Sequence, residues 1–194
     1  IDMPGSIKID DGSGNYTILT NGGSLGSDKT ITIPNTTGTL ALTSDSFGKV
    51  LQVVQATSST STNTTATTYG NTTLTGSITP SATGSKVLVL ISQILDVSSN
   101  ATQNNEGAIK VVRTISSSDT DIYENTAFTK INADYGAFGY AQVRGTYSIL
   151  ILDTPSTTSA TTYKTQMKNV LSNGSCTAQI SNMPSHIILM EIGA

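Results

Sequence analysis

Residues able to do acid–base, nucleophilic or metal chemistry are few and scattered. The chain has one histidine, His186, and one cysteine, Cys176. A Ser-His-Asp site needs a histidine held in a pocket by its partners, whereas His186 stands between Pro184 and an apolar run. A structural zinc site needs four His, Cys or carboxylate ligands. These residues predict no metal site and no nucleophilic centre. They favour a strand-edge or interface histidine and a small buried thiol.

One acidic stretch resembles the beginning of a calcium loop. The sequence DDGSGN (10–15) places Asp11, Ser13 and Asn15 at alternate positions, as an EF-hand does. An EF-hand loop also requires a glycine at its sixth position, where this chain has Tyr16. Glycine, asparagine and aspartate are equally the residues of tight turns. We therefore expect a hairpin turn here rather than a calcium site.

A second acidic group, Asp119, Asp121 and Glu124, surrounds a turn in the middle of the chain. Glycosidases use a pair of carboxylates at a defined separation, and this group offers candidates for such a pair. A solvated turn needs the same residues without any such geometry. The sequence favours the solvated turn, so we expect no enzyme activity and no cofactor.

The composition restricts the partners. Charged residues make up 12% of the 194 residues and the net charge is −3, against about 25% charged residues in an average soluble domain. No Lys- and Arg-rich patch is present to bind nucleic acid phosphates or an anionic membrane. The longest apolar runs, 87–91 and 187–190, are far shorter than the roughly 20 residues of a membrane-spanning helix. We expect neither nucleic acid binding nor membrane insertion.

The pattern of the chain is that of β-structure throughout. Val, Ile, Thr and Tyr dominate its apolar runs, and Gly, Asn, Ser and Pro interrupt them. The chain divides near Ser46, into a short-strand segment, 1–46, and a domain with longer strands, 47–194. An antiparallel β-sandwich or barrel is expected for the domain. Its nine predicted strands are 49–57, 69–79, 86–97, 107–116, 121–129, 138–153, 161–170, 175–181 and 185–193.

The first segment cannot bury enough apolar surface to fold alone. Its strand candidates, 7–9, 16–19, 30–33 and 39–42, are very short, and one cysteine allows no intrachain disulfide. Oligomerisation remains, so we expect a slender stem in which copies of the segment bury each other's apolar residues. The stretch TITIPNTTGTLALTSD supplies the stem-packing residues Ile31, Ile33, Leu40 and Leu42.

Three strands of the domain, 87–91, 149–152 and 187–190, are apolar on both faces. A sandwich core accounts for only one of these faces. Either the strands are central and covered on both sides, or their outer face contacts another chain. Because the sequence offers no helices as a cover, a subunit interface is the favoured interpretation.

Several phrases of the chain resemble the C-terminal region of phage tail fibres. TITIPNTTGTLALTSD is similar to the last shaft module before a distal domain. The phrases GKVLQVVQATSSTST, SITPSATGSKVLVLIS, LDTPSTTSATTYKTQM and SHIILMEIGA resemble the heads of tail-fibre-like proteins from cyanophages and other marine viruses. The resemblance implies a homotrimer with a jelly-roll or C1q/TNF-like β-sandwich head, located extracellularly on the virion. It does not extend to the middle of the chain, from about 98 to 145.

Candidate receptor-binding residues follow from the alternation of the strands. If every strand crosses the sandwich, the connections 58–68, 98–106, 130–137 and 171–174 lie at the end opposite the chain's entrance. Nine alternating strands would also bring the last strand to that far end. Amide groups and aromatic rings in these connections suit sugar hydroxyls and sugar rings. The candidates are Asn100, Gln103, Asn104, Asn105, Tyr135, Phe138 and Tyr140.

These features predict a distal tail-fibre domain that attaches to the host cell surface. Attachment would be non-covalent and multivalent, with a surface glycan as the receptor and upstream fibre or virion proteins as partners. Two alternatives remain. One is a virion decoration or fibre cap without a receptor, and the other is a non-viral carbohydrate-binding adhesin module.

Overall fold

The computed structural model of the chain describes residues 6–10, 13, 16–20, 49–100, 103–132 and 140–193. The chain divides into two units, Ile1–Asp45 and Ser46–Ala194. The four predicted stem residues, Ile31, Ile33, Leu40 and Leu42, lie outside the described residues, and their packing stays a prediction.

The described part of the first unit is a β-hairpin. Strand β1 (Ser6–Asp10) pairs antiparallel with β2 (Tyr16–Thr20), and Asp10 stands opposite Tyr16. Residues 11, 12, 14 and 15 lie outside the described residues, so the turn predicted from DDGSGN stays a prediction, although the pairing of the flanking strands suits it.

The described part of the second unit consists of strands and one short 3-10 turn, Ile180–Asn182. No helix within the described ranges has the length and apolar character that a bilayer crossing requires. The strands are β3 (Val50–Ser58), β4 (Thr62–Thr64), β5 (Gly70–Ile78), β6 (Lys86–Asn100), β7 (Asn105–Ile115), β8 (Ser118–Ile131), β9 (Tyr140–Asp153), β10 (Thr161–Asn169), β11 (Gly174–Ala178) and β12 (Ser185–Ile192).

The strands form two antiparallel sheets packed as a β-sandwich, which confirms the predicted fold class. One sheet has the order β5-β10-β7-β8, and the other has the order β3-β12-β6-β11-β4 with β9 also paired to β6. One edge of β6 is taken by β9, and its other edge is shared by β12 and then β11. Strands β3 and β4 lie beyond β12 and β11 in the same way. Strands β3 and β4 therefore share one position in the sheet, and β12 and β11 share the next. Counted in this way, each sheet has four strand positions, and their order is that of a jelly roll.

The predicted alternation of nine strands is wrong at the C-terminal end. Both β11 and β12 run antiparallel to β6, so they point in the same direction. The chain steps from one to the other through Gln179, Ser181 and Asn182, whose φ angles are 51°, 54° and 58°. These left-handed residues form an irregular turn that interrupts the pairing along the same edge of β6 without reversing the chain. The sequence also gave no indication of β4, which is only three residues long.

The two ends of the sandwich differ. The chain enters at Lys49 and its last described residue is Gly193, whose N–H donates to the Lys49 carbonyl at 2.8 Å. We call this end the base. The connections β4–β5, β6–β7, β8–β9 and β10–β11 begin and end at the opposite end, which we call the tip. The predicted gathering of 98–106, 171–174 and the end of 58–68 at one end is therefore confirmed.

The core lies between the sheets and follows the two-residue period of the strands. In β10 every odd-numbered side chain from Thr161 to Asn169 is buried, and in β12 Ile187 and Leu189 are fully buried. Val87, Val89 and Ile91 of β6 face the same core.

The three doubly apolar strands are neighbours in one sheet. Their inward side chains join the core, and their outward side chains form continuous cross-strand rows on the other face. Leu88 stands between Leu152 and Met190, and Leu90 stands between Leu150 and Ile188. Leu150 is 69% exposed and Leu152 is 55% exposed. We call this surface the outer apolar face; it consists of Val53, Leu88, Leu90, Leu150, Leu152, Ile188 and Met190.

Candidate functional site

Four of the predicted receptor-binding residues lie together at the tip. Asn100 ends β6 and stands opposite Tyr140, the first residue of β9. Gln103 and Asn104 follow in the β6–β7 connection, and both are exposed. The Tyr140 side chain is 57% exposed. The tip therefore presents amide groups beside an accessible aromatic ring, a combination suited to hydroxyl groups and to the C–H face of a sugar.

Asn105 has a different position from its neighbours. Its side chain is fully buried, and its Nδ2 donates to the Ser98 carbonyl at 2.6 Å. Gly174 lies against the Ser98 carbonyl and the Asn105 amide group. A β-carbon at Gly174 would collide with the Ser98 carbonyl oxygen. Asn105 thus holds the turn from β6 to β7 in place rather than facing solvent. Tyr135 and Phe138 lie outside the described residues.

Two connections of the tip, β6–β7 and β10–β11, are bonded to one another. The Asn100 N–H donates to the Asn173 carbonyl at 2.8 Å, and Asn173 Nδ2 donates to the Asn104 carbonyl at 2.9 Å. The Ser99 hydroxyl donates to the Gln103 carbonyl within the same connection. These bonds hold the described ends of the two connections together before a ligand arrives, which reduces the entropy lost on binding.

The acidic group around the β7–β8 turn is occupied by cations and hydroxyl groups. Lys164 donates to Asp119 at 2.9 Å, and Lys110 donates to Asp121 at 2.9 Å. The hydrogen bond from Lys164, followed by that from Thr114, holds the pKa of Asp119 below its usual value. A glycosidase general acid needs a raised pKa instead. Asp119 is therefore ill suited to donate a proton near neutral pH.

The single histidine and cysteine are placed as the sequence favoured. His186 is the second residue of β12, and its Nδ1 lies 3.0 Å from the Thr57 hydroxyl oxygen. Its side chain borders an open depression of about 410 Å³ at the edge of the outer apolar face. Cys176 is fully buried, and its pKa is raised to about 12 by burial and then by the charge of Asp96. Among the described residues, no three His, Cys, Asp or Glu side chains are grouped to hold a metal ion.

The sequence did not predict a second concave feature, between β8 and β9 on the side of the sandwich. It is a small cleft of about 180 Å³, which we call the side cleft. A glycine within a strand often marks a bulge or a close approach of another molecule, and Gly145 in the interior of β9 is the one signal that the sequence offered. The cleft is lined by Leu95, Phe128, Thr129, Gly145, Thr146 and Tyr147.

Comparison with known proteins gives only weak structural likenesses. No family model and no curated protein matches the chain. A structure of infectious bursal disease virus, Gt strain, is similar at 12% identity with a TM-score of 0.31, over 94% of this chain and 45% of that chain. A structure of the Gx strain has 13% identity and a TM-score of 0.28, over 87% of this chain and 47% of that chain. The chain thus spans less than half of these two chains, and a likeness this low carries no argument.

Proposed function

We propose that this chain is the distal part of a viral tail fibre or a similar virion appendage, and that it attaches the virion to the host cell surface. The proposal draws its viral part from the tail-fibre phrases in the sequence. Its attachment part rests on one observation, the exposed group of Asn100, Gln103, Asn104 and Tyr140 at the tip, opposite Lys49 and Gly193. A surface glycan is the proposed receptor, and binding involves no covalent step.

The proposal includes a homotrimer. A second copy of the chain is the proposed cover of the outer apolar face, because two neighbouring rows of large aliphatic side chains cross its strands. Exposed apolar patches of this kind mark association surfaces in soluble proteins. The predicted stem would join the same chains. Three shallow sites on one particle would then convert weak single contacts into useful avidity.

A glycan array probed with the assembled chain tests the proposal. We expect binding to a subset of glycans, and we expect Tyr140→Ala and Gln103→Ala each to reduce it strongly. Both side chains are exposed, so the variants should fold normally. Thr120→Ala provides a matched control, because Thr120 is an exposed polar residue on β8 near the base.

The outcomes separate the alternatives. Retained binding in both tip variants would place the receptor site elsewhere. An assembled chain that binds no glycan and no host cell would favour a decoration or a fibre cap. Glycan binding by a chain encoded outside any viral genome would favour the adhesin module.

A further inference from the structure

The side cleft exists because of an absent side chain. A β-carbon built at Gly145 would meet nothing within 4 Å, although the residue lies in the interior of β9 and its partner Leu95 is buried. At Gly107 the corresponding space is filled, since Phe128 Cζ would lie 2.6 Å from a β-carbon there. The Phe128 ring thus fills the space beside Gly107, whereas the space beside Gly145 is empty.

A bulge in β8 places the Phe128 ring against Gly107. From Gly107 to Ile109, strand β7 advances by two residues. Its partner β8 covers four residues over the same stretch, from Thr129 back to Asn125. Extra residues of this kind redirect side chains in a strand. Phe128 lies in the bulged stretch, and its partly buried side chain packs against the core.

The second aromatic ring of the side cleft, that of Tyr147, is held by hydrogen bonds. The rings of Phe128 and Tyr147 are 5.7 Å apart and inclined by 54°. The Tyr147 hydroxyl lies 3.0 Å from the Tyr123 hydroxyl and also accepts a hydrogen bond from Asn125 Nδ2. Burial and the bond with Tyr123 raise the pKa of Tyr147, so the phenol stays neutral. The two rings are therefore fixed in position before any ligand binds.

The size and chemistry of the lining restrict the ligand. A volume of about 180 Å³ is below the roughly 300–1,000 Å³ of sites for drug-sized molecules, so a single small ring is the largest suitable group. The lining contains no charged side chain, and it combines the two aromatic rings with the side chain of Thr129. Thr146 alternates to the outer face of β9, as Leu150 does, so only its backbone borders the cleft. A neutral pyranose has both an apolar C–H face for aromatic contact and hydroxyl groups for polar partners.

We infer that the side cleft binds one neutral pyranose unit, as a sugar site separate from the tip. This inference deepens the proposed function and rests on it only for the biological origin of the sugar. A glycan chain would then contact each head at two places, the tip and the side between β8 and β9.

Saturation-transfer NMR on the full chain tests the inference, with glucose, galactose, mannose and N-acetylglucosamine as probes. We expect at least one probe to receive saturation and to shift the amide signals of Thr129 and Tyr147. Gly145→Val should weaken that binding by roughly tenfold or more, because its side chain enters the empty space. Gly70→Val is the matched control, since a β-carbon at Gly70 also meets nothing within 4 Å and Gly70 lies on β5.

The results distinguish this inference from the proposed function. If no probe binds, or if Gly145→Val and Gly70→Val bind equally well, the inference is overturned, while the glycan array still tests the tip through Tyr140→Ala. If Tyr140→Ala abolishes array binding and leaves monosaccharide binding unchanged, two independent sites are established. Should Gly145→Val fail to fold, the amide shifts of the native chain decide alone, and shifts confined to the tip would overturn the inference.

Discussion

Asp153 is the residue at which the two sheets are joined by charge. Asp153 is the last residue of β9. Its carboxylate accepts hydrogen bonds from Arg113 Nη1 of β7 and from the Tyr163 hydroxyl of β10, each at 2.8 Å. Tyr163 is fully buried, and Asp153 is 9% exposed. Burial and the bond to Asp153 raise the pKa of Tyr163, so the phenol remains a donor. Arg113, Asp153 and Tyr163 thus connect the two sheets near the base.

Removing Arg113 should be costly for this reason. In Arg113→Met the Asp153 carboxylate stays largely buried without its cation, and loss of one partner of such a pair typically costs about 3–5 kcal/mol. We expect a decrease of that size in the free energy of unfolding, measured by urea denaturation at fixed protein concentration.

Lys164→Met is the matched control for that measurement. Lys164 pairs with Asp119, which is 46% exposed, and exposed pairs contribute far less to stability than buried pairs do. Equal losses in the two variants would show that burial does not set the strength of the Arg113 pair.

At the scale of single elements, the β7–β8 hairpin has a turn that its residues do not favour. Ile115 stands opposite Ser118, so Ser116 and Ser117 alone form the loop. Their φ angles are 48° and 67°, which is the geometry of a type I′ turn normally taken by Asn-Gly. Serine in the left-handed region is strained, because its β-carbon approaches the backbone.

Replacing the loop by Ser116→Asn together with Ser117→Gly should therefore stabilise the domain by about 1 kcal/mol. Thermal unfolding followed by circular dichroism would show an increased Tm. Ser118→Gly adds a glycine at an ordinary strand position and should not increase it. An unchanged or lower Tm in the double variant would contradict the strain at this turn.

The strands themselves were largely predictable, because burial in a sandwich imposes a period of two. Thr161 to Asn169 alternates between buried and half-buried side chains, and its predicted limits differ from the observed ones by one residue. The direction of β12 was not predictable, since it depends on the left-handed conformations of Gln179, Ser181 and Asn182. No local preference of those residues requires them.

The candidate site was predictable only in part, for a similar reason. Strand alternation correctly grouped the connections at the tip, but it could not reveal that Asn105 turns inward to the Ser98 carbonyl. The side cleft depends on how Phe128 meets Gly107 across a bulge. Such long-range register is set by packing between strands, which a single stretch of sequence does not contain.

At the scale of the whole molecule, the proposed trimer gives a direct prediction. Chains of 20.1 kDa should assemble into a particle of about 60 kDa by light scattering, if the ring closes with threefold symmetry. Leu150→Asp should shift the particle towards smaller species, because it places a charge in the outer apolar face. Leu150 is 69% exposed, so the isolated domain should tolerate the change.

Leu171→Asp is the matched control, since Leu171 is 40% exposed and lies between β10 and β11 at the tip. It should leave the assembled mass unchanged. A wild-type mass of about 20 kDa would contradict the proposed oligomer, and equal effects of both variants would contradict its location on the outer apolar face.

The hydrogen bond between Gly193 and Lys49 has a consequence for how the domain can be transplanted. Because the sandwich begins and ends within one hydrogen bond at its base, residues 49–193 can be inserted into a surface loop of an unrelated carrier without stretching either chain. The tip would then point away from the carrier. Recombination at these two neighbouring points could likewise exchange one such domain for another as a single cassette.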